Sequence, residues 1–119
     1  MTTIKSHKDL EVWKKSIALV SEVYTLTRDF PKEEIFGITS QIRRAVISIP
    51  ANIAEGAGRN SKKEFIQFLF ISLGSLSELE TLLIHANNLN LIGDISNLNT
   101  EVTSIRRMLL GLINSLKSK

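Results

Sequence analysis

Residues 95–116 read ISNLNTEVTSIRRMLLGLINSL and carry the most regular hydrophobic spacing in the chain. Their apolar residues recur at alternating intervals of three and four, at Ile95, Leu98, Val102, Ile105, Leu109, Leu112 and Leu116. An α-helix makes one turn every ~3.6 residues, so these side chains form a single stripe about three heptads long. The stretch therefore predicts an amphipathic helix that opens after Gly93-Asp94 and packs against other helices.

Three further helical patterns precede this one. The first covers about residues 8–30 and ends where Phe30 meets Pro31, because a residue before proline avoids the α-helical conformation. The second starts near Pro31 and is stopped by Gly56 and Gly58, and its apolar stripe begins at Ile35. The third starts at Ser61, because Ser61 and Glu64 have the spacing of a capping box.

The four patterns together predict an all-α fold. No strand pattern interrupts them, and the connections between them are short, roughly 3–8 residues, so that consecutive helices should lie side by side and run antiparallel. Helices of about 22 residues are about 33 Å long, so the four predicted helices have similar lengths. We expect residues 1–119 to form a single domain, an antiparallel up-down-up-down four-helix bundle.

Pro50 lies inside the second helix and predicts a kink there. It removes the hydrogen bond to the Val46 carbonyl, at a cost of about 3 kcal/mol in a helix interior. A polar stripe follows the same helix, made of Gln41, Arg44, Ser48, Asn52 and Glu55. Within it we expect Arg44 and Glu55 to pair, and Gln41, Ser48, Asn52 and Glu55 to form a structural polar network at the kink. The alternative is a ligand or nucleic-acid contact.

The third helix carries more apolar surface than one bundle interior needs. Phe68 and Ile71 are predicted to point outward, beside Gly74 and Glu78. Glycine inside a helix costs about 1 kcal/mol relative to alanine, and a close backbone approach would explain it. We therefore interpret Phe68, Ile71, Gly74 and Glu78 as an oligomer interface. The alternative is ordinary scattered exposure of apolar residues.

Several classes of function lack the residues that they need. The chain has no cysteine, so disulfides, thiolate metal sites and cysteine nucleophiles are excluded. Its two histidines have no metal-ligand spacing, and no nucleophile motif occurs. We therefore expect no enzymatic activity, no metal and no cofactor. The first residues lack the apolar core of a secretory signal, and we expect a cytoplasmic protein without a membrane partner.

The charge pattern permits binding to a polyanion. Fifteen basic and twelve acidic residues give a net charge of +3. The best candidates for contact with nucleic acid are Arg43, Arg44, Arg59, Lys62 and Lys63. Arg59, Lys62 and Lys63 lie beside a predicted helix N-terminus, and the positive end of a helix dipole attracts phosphate. The alternative for any single pair is a solvated surface with acidic partners on its own helix.

Several stretches together resemble one known family. They are LEVW at 10–13, FPKEEIFG at 30–37, QIRRAVISIPANIAEG at 41–56 and LGSLSELET at 73–81. They closely resemble the four-helix bundle family named after proteins encoded in intervening sequences of bacterial large-subunit ribosomal RNA. That family is similar to the accessory variability determinant of diversity-generating retroelements. Ser72 departs from the pattern, because alanine is usual before Leu-Gly-Ser.

The resemblance implies a homopentameric ring with a central pore and no catalytic activity. It also implies that the retroelement relative binds nucleic acid and a reverse transcriptase through basic surface, which here falls on Arg43, Arg44, Arg59, Lys62 and Lys63. We expect a non-enzymatic oligomer that binds nucleic acid. RNA is the expected partner, and DNA is the alternative. The alternative is a scaffolding protein that recruits a protein partner such as a polymerase, without binding nucleic acid directly.

Overall fold

The computed structural model describes residues 6–118, and within them the fold is all-α. Four long helices are present: α1 at Glu11–Thr27, α2 at Ile38–Ala57, α3 at Lys62–Asn88 and α4 at Ser96–Lys117. Two single-turn 3-10 helices precede α1 and α2, at His7–Asp9 and Lys32–Glu34. No strand occurs in the described part of the chain. The predicted helical fold class is confirmed.

The helices run alternately up and down in an elongated body of 48 × 24 × 19 Å. Near the start of α2, Arg43 bonds to Thr27, the last residue of α1. In the middle of α2, Ser48 bonds to Ser75 of α3. On the far side, Arg106 of α4 bonds to Glu80 of α3. Consecutive helices are therefore antiparallel neighbours, and α4 completes the bundle by packing on both α3 and α1.

The core follows one apolar face of each helix, although Ile17, Tyr24, Phe70 and Ile84, which the apolar spacing also predicts to be buried, are exposed. Its fully buried side chains come from all four helices and include Leu19, Val23, Ile42, Ile49, Ile53, Leu69, Leu76, Leu79, Leu83, Ile105, Leu109 and Ile113. On α4 the buried stripe shifts by one position near its end, so that Ile113 is buried while Leu112 and Leu116 are only half-buried. A straight helix drifts relative to a strict seven-residue repeat, which produces this shift.

The first helix is shorter than the sequence predicts. It begins at Glu11 because Leu10 is extended, with φ −81° and ψ 127°, and separates α1 from the 3-10 turn before it. That turn has its own capping box, in which Ser6 accepts from the Lys8 backbone while Asp9 accepts from the Ser6 backbone. The helix ends at Thr27, one turn before Pro31.

The start of the second helix was predicted wrongly. Pro31 is extended, the residues after it make one 3-10 turn, and Gly37, with φ −111° and ψ −117°, separates that turn from α2. The apolar stripe of α2 therefore begins at Ile38. Ile35 lies outside the core with 51% of its surface exposed, and Phe36 is 96% exposed.

Proline does not interrupt α2. The helix is continuous from Ile38 to Ala57 with Pro50 buried inside it, so the predicted kink stays a prediction. On the adjacent α3, the buried Ser72 donates a hydrogen bond to the Ile49 carbonyl at 2.9 Å. Ser72, a departure from the pattern that the chain resembles, therefore links α2 to α3 directly beside the proline.

The ends of the later helices are tied by side chains. The Ser61 hydroxyl accepts from the Glu64 backbone at the start of α3, as the capping spacing predicts. Asn87 donates to the Ile92 and Gly93 carbonyls in the connection to α4. At the start of α4, the hydroxyl and backbone of Ser96 both donate to Asp94, and these bonds lower the pKa of its carboxyl.

By length and composition alone, α3 is apolar enough to cross a membrane, since an 18-residue window has a mean hydropathy of 1.3. The core helix of a soluble protein passes the same test, and α3 buries Leu69, Leu76 and Leu83 in the bundle. Its remaining apolar surface faces outward, at Phe70, Ile71 and Ile84. The expectation that the chain has no membrane partner stays a prediction.

Candidate nucleic-acid interface

The five basic residues predicted to contact nucleic acid fall into two groups at opposite ends of α2. Arg43 and Arg44 lie in its second turn, whereas Arg59, Lys62 and Lys63 follow its last residue. The rise of 1.5 Å per residue separates the two groups by about 20 Å along the helix axis. One chain therefore does not bring all five into a single patch.

Arg43 is half-buried and contacts residues of α1. Its Nε donates to the Thr27 hydroxyl at 3.0 Å, and its guanidinium lies 4.6 Å from the centre of the Tyr24 ring. Both contacts join α2 to α1. Arg43 therefore contributes to the packing of the bundle, and its charge faces an aromatic ring rather than open solvent.

Arg44 is exposed and, among residues 6–118, makes no ion pair. The predicted pair between Arg44 and Glu55 does not form. Glu55 lies three turns further along α2 and pairs instead with Arg59, with 2.9 Å between the charged atoms. A separation of four residues places Glu55 and Arg59 side by side, whereas the eleven residues from Arg44 to Glu55 span about 16 Å.

Arg59 occupies the turn between α2 and α3 and is held by three groups. Besides Glu55, it lies 4.0 Å from the Glu64 carboxylate and stacks over the Phe68 ring at 5.0 Å. It also borders an open groove of about 560 Å³, lined by Ala51, Ala54, Glu55, Gly58 and Arg59. Two carboxylates offset part of its charge, so Arg59 positions this turn as much as it adds positive potential.

Lys62 and Lys63 are exposed in the first turn of α3. The first backbone N–H groups of a helix have no partner within it and form the positive end of the helix dipole. Lys62 and Lys63 add two full positive charges to the partial positive charge of this helix N-terminus. Of the predicted contact residues, these two have the placement that best suits binding of phosphate oxygens.

The antiparallel order of the helices places further basic residues near Lys62 and Lys63, beyond the five that the sequence predicts as contacts. The starts of α1 and α3 and the ends of α2 and α4 meet at one end of the bundle, which we call the basic end. Among the described residues, seven basic and four acidic side chains lie there, the basic ones being Lys8, Lys14, Lys15, Arg59, Lys62, Lys63 and Lys117. The acidic ones are Asp9, Glu11, Glu55 and Glu64.

The other half of the bundle has the opposite balance. Six basic residues of the described chain lie there: Arg28, Lys32, Arg43, Arg44, Arg106 and Arg107. They are outnumbered by eight acidic residues: Glu22, Asp29, Glu33, Glu34, Glu78, Glu80, Asp94 and Glu101. Basic and acidic residues are thus unequally distributed along the long axis of the bundle. The basic end has an excess of positive charge, and the other half has an excess of negative charge.

The predicted polar network on α2 is only partly brought together. Asn52 donates to both the hydroxyl and the carbonyl of Ser48 at 2.8 Å, and Ser48 bonds to Ser75 of α3. Gln41 is exposed and away from these bonds, and Glu55 belongs to the ion pair with Arg59. The bonded group ties α2 to α3 near Pro50 and faces the neighbouring helix.

The predicted oligomer interface divides between two faces. Phe68 does not point outward, because a Cβ placed at Gly56 would lie 2.7 Å from the Cβ of Phe68, which shows that it packs tightly on α2. Ile71, Gly74 and Glu78 are exposed as expected. The close approach proposed for Gly74 does not occur within the chain, since a Cβ there would meet nothing within 4 Å.

Two acidic side chains face each other between α1 and α4. Partial burial raises the pKa of the Glu22 carboxyl, and the adjacent Glu101 raises it further by hydrogen bonding and by charge repulsion. The pair has no third ligand: within residues 6–118, no group of three or more His, Cys, Asp or Glu residues could hold a metal ion. A second open groove, of about 350 Å³, lies on α4 beside Arg107 and is otherwise lined by Asn, Thr and Ser.

Comparison with known proteins identifies the family. The sequence model of the 23S rRNA-intervening sequence protein family matches residues 8–111. The chain belongs to this family. One solved structure similar to this family member is a protein of unknown function from the S23 ribosomal protein family of Bacteroides thetaiotaomicron. The two share 28% sequence identity with a TM-score of 0.80, over 87% of this chain and 95% of that one. The comparison with curated proteins gave no match.

Membership confirms the resemblance that the motifs indicated. The match covers all of α1, α2 and α3 and most of α4, so the family pattern includes the whole bundle rather than a single motif. The solved relative is itself a protein of unknown function, so membership assigns no role to any residue of this chain. The surface of the chain itself must indicate its function.

Proposed function

We propose that the protein is a non-enzymatic, oligomeric nucleic-acid-binding protein of the cytoplasm. Its basic end binds the phosphate backbone of a nucleic acid, and RNA is the proposed ligand. The separation of charge along the bundle carries this proposal. Lys62 and Lys63 lie at a helix N-terminus, and Lys14, Lys15 and Lys117 are on helix ends that meet at the same end of the molecule.

The mechanism is electrostatic. Each phosphate neutralised by a lysine or arginine releases condensed counterions, so affinity falls steeply as salt rises. Contacts of this kind position a strand without reading its bases. The described surface offers lysines on helix ends rather than a row of exposed aromatic rings, which favours backbone contact over base stacking.

Assembly into a homopentameric ring would strengthen such binding. A single chain carries a net charge of only +3. Repeated basic ends on one particle engage several phosphates of the same strand, and each later contact forms at a high effective concentration. The exposed apolar residues Phe70, Ile71 and Ile84 on α3 support association of copies.

A charge-reversal titration tests this function. K62E/K63E should weaken binding to a single-stranded 20-nucleotide RNA at least about tenfold in low salt, because it removes the phosphate contacts and adds repulsion. The matched control R28E/K32E changes the net charge equally in the opposite half. It should weaken binding much less. Filter binding measures both, with helix content checked by circular dichroism.

Two outcomes would contradict the proposal. Equal weakening by both variants would show that net charge matters and the basic end does not. Unchanged binding in K62E/K63E would show that these lysines do not contact the strand. The same titration with single-stranded DNA of equal length determines the preferred nucleic acid.

One observation favours the second candidate function, a scaffold that recruits a protein partner such as a polymerase. Arg43 and Arg59 are engaged within the chain, which leaves less basic surface than the sequence predicts. A wild-type oligomer that ignores both nucleic acids in low salt, but retains a polymerase from nuclease-treated lysate, would support the scaffold.

A further inference from the structure

One exposed aromatic ring lies near the basic end, although the surface as a whole offers lysines rather than rings. Phe70 of α3 keeps 47% of its surface exposed. The Lys117 ammonium lies over this ring, 5.4 Å from its centre. Unlike Ile71 and Ile84, the other exposed apolar residues of α3, Phe70 therefore presents an aromatic face next to a positive charge.

The antiparallel packing of α3 and α4 places Lys117 opposite Phe70. Arg106, eleven residues before Lys117, pairs with Glu80, ten residues after Phe70, with 2.8 Å between the charged atoms. Two contacts in the same register show that these stretches of the two helices lie side by side. The lysine over the ring is thus a consequence of how the bundle packs.

Lys63 adds a second cation on the same face of α3. It precedes Phe70 by seven residues, or nearly two turns, so the two side chains leave the helix in almost the same direction, about 10 Å apart. Lys63 and Lys117 are both exposed, and neither makes an ion pair among residues 6–118.

Acidic residues are sparse around the ring. The stretch of α4 after Glu101 contains none. On α3, the acidic residues closest in sequence to Phe70 are Glu64, whose carboxylate lies 4.0 Å from the Arg59 guanidinium, and Glu78, more than two turns further from the basic end. The surroundings of Phe70 therefore favour an anionic ligand.

An aromatic face between two such cations suits an unpaired base with its flanking phosphates. Bases of any identity stack on aromatic rings, and lysines bind the backbone on either side. Bases of a duplex are already stacked on each other, and separating them costs free energy. A purely apolar partner would fit less well, because covering Phe70 would also remove the Lys117 ammonium from water.

We propose that Phe70 stacks against one base of a single-stranded nucleic acid, while Lys63 and Lys117 bind the phosphates beside that base. This inference rests on the proposed function and deepens it, because it gives the basic end a preference for single strands over duplexes. Lysine–phosphate contacts alone would accept either form. One ring holds one base without reading its identity, so the preference concerns strandedness and not sequence.

A strand without bases isolates the stacking contact. A 20-nucleotide oligothymidylate and an abasic strand of equal length carry the same phosphates. Phe70→Ala should weaken binding to the oligothymidylate at least about fivefold in low salt, and it should change binding to the abasic strand less than about twofold. Ile71→Ala, at a position that is 49% exposed, is the matched control and should affect neither. Filter binding measures the affinities, with helix content checked by circular dichroism.

Two further variants separate stacking from charge. Phe70→Trp keeps an aromatic face and should bind the oligothymidylate at least as tightly as the wild type. Its fluorescence should be quenched on binding more than that of the wild type, in which Trp13 is the single tryptophan. Lys117→Ala should make the slope of log affinity against log salt shallower by about one unit, whereas Phe70→Ala should leave this slope unchanged.

The RNA arm uses an oligouridylate of the same length, and the duplex arm uses its duplex with oligoadenylate. Phe70→Ala should weaken binding to the oligouridylate and leave binding to the duplex unchanged. Equal losses on single strand and duplex, or on the oligothymidylate and the abasic strand, would overturn the stacking contact. A smaller particle for Phe70→Ala in light scattering would show that Phe70 lies between copies, and it would overturn the contact as well.

The outcomes separate this inference from the proposed function. A wild-type protein that binds RNA and loses affinity in K62E/K63E, but is unaffected by Phe70→Ala, contradicts the stacking contact alone. A wild-type protein that binds none of the strands in low salt contradicts the proposed function and the stacking contact together.

Discussion

Adjacent arginines in α2 have different roles. Arg43 bonds to Thr27 and stacks on Tyr24, whereas Arg44 points to solvent. Adjacent helix positions point about 100° apart, and that rotation places one side chain against α1 and the other outside. The sequence alone predicts the rotation but does not show which arginine faces the neighbouring helix, because either could belong to a solvated pair.

This difference predicts unequal effects on stability. Arg43→Ala should lower the free energy of unfolding by about 2 kcal/mol, since it removes a charged hydrogen bond and a cation–π contact. Arg44→Ala should change it by less than about 0.5 kcal/mol, as expected for an exposed position. Urea unfolding at one protein concentration measures both. Equal losses would contradict the assigned roles.

Glu22 predicts a pH dependence of stability. Its pKa is raised by burial and by Glu101, so the folded state binds this proton more tightly than the unfolded chain does. The stability that Glu22 contributes is therefore present below about pH 4, where the unfolded group is also protonated, and is lost as pH rises through the raised pKa.

Glu22→Gln should therefore raise the melting temperature at pH 7 and leave it nearly unchanged near pH 3. Glu101→Gln should raise it similarly at pH 7, and the double variant should gain less than the sum, because either change alone removes the repulsion. Thermal unfolding by circular dichroism measures this. Equal gains at both pH values would show that the two carboxyls do not interact.

At the scale of elements, the closest contact is between α2 and α3. Gly56 allows it, because a Cβ there would lie 2.7 Å from Phe68 and 3.0 Å from Phe65. The sequence predicts that Gly56 and Gly58 stop the helix, and α2 does end at Ala57 with Gly58 as its C-cap; Gly56, in the last turn, also allows the close approach. Gly74, for which a close approach was predicted, has open space within the chain. Helix periodicity shows which face is buried but not how closely two backbones approach.

The two glycines form a matched test of this packing. Gly56→Ala should lower the free energy of unfolding by about 1–3 kcal/mol, because the α2–α3 contact must open. Gly74→Ala should raise it by about 0.5–1 kcal/mol, because alanine favours the helix and meets no neighbour. Urea unfolding measures both changes. A neutral Gly56→Ala variant would contradict the close contact.

Helices and core could be predicted from the sequence, whereas the α1–α2 connection could not. Alternating apolar spacing determines which face of a long helix is buried, and the capping pair at Ser61 and Glu64 determines where α3 begins. The stretch after Pro31 has helix-forming residues and an isoleucine in register with α2. In the structure Gly37 separates these residues from α2, so that they form a 3-10 turn with Ile35 and Phe36 outside the core, and the apolar spacing does not show this break.

At the scale of the molecule, the charge distribution follows from topology. The charge pattern along the chain points to Arg59, Lys62 and Lys63 but not to Lys14, Lys15 or Lys117, because residues on different helices are not neighbours in the chain. The predicted up-and-down order of the helices would have placed these lysines together, because it brings the starts of α1 and α3 to the same end of the bundle as the ends of α2 and α4. Combining topology with charge reveals the basic end.

The central claim is that this basic end binds a nucleic-acid backbone through lysine–phosphate contacts. The most direct measurement is the slope of log affinity against log salt for a 20-nucleotide RNA, between about 50 and 200 mM. We predict a steep negative slope for the wild type, and for K62A/K63A a slope shallower by about one unit for each lysine that contacts a phosphate. A wild-type affinity that does not change with salt, or an equal slope in the variant, would contradict the claim.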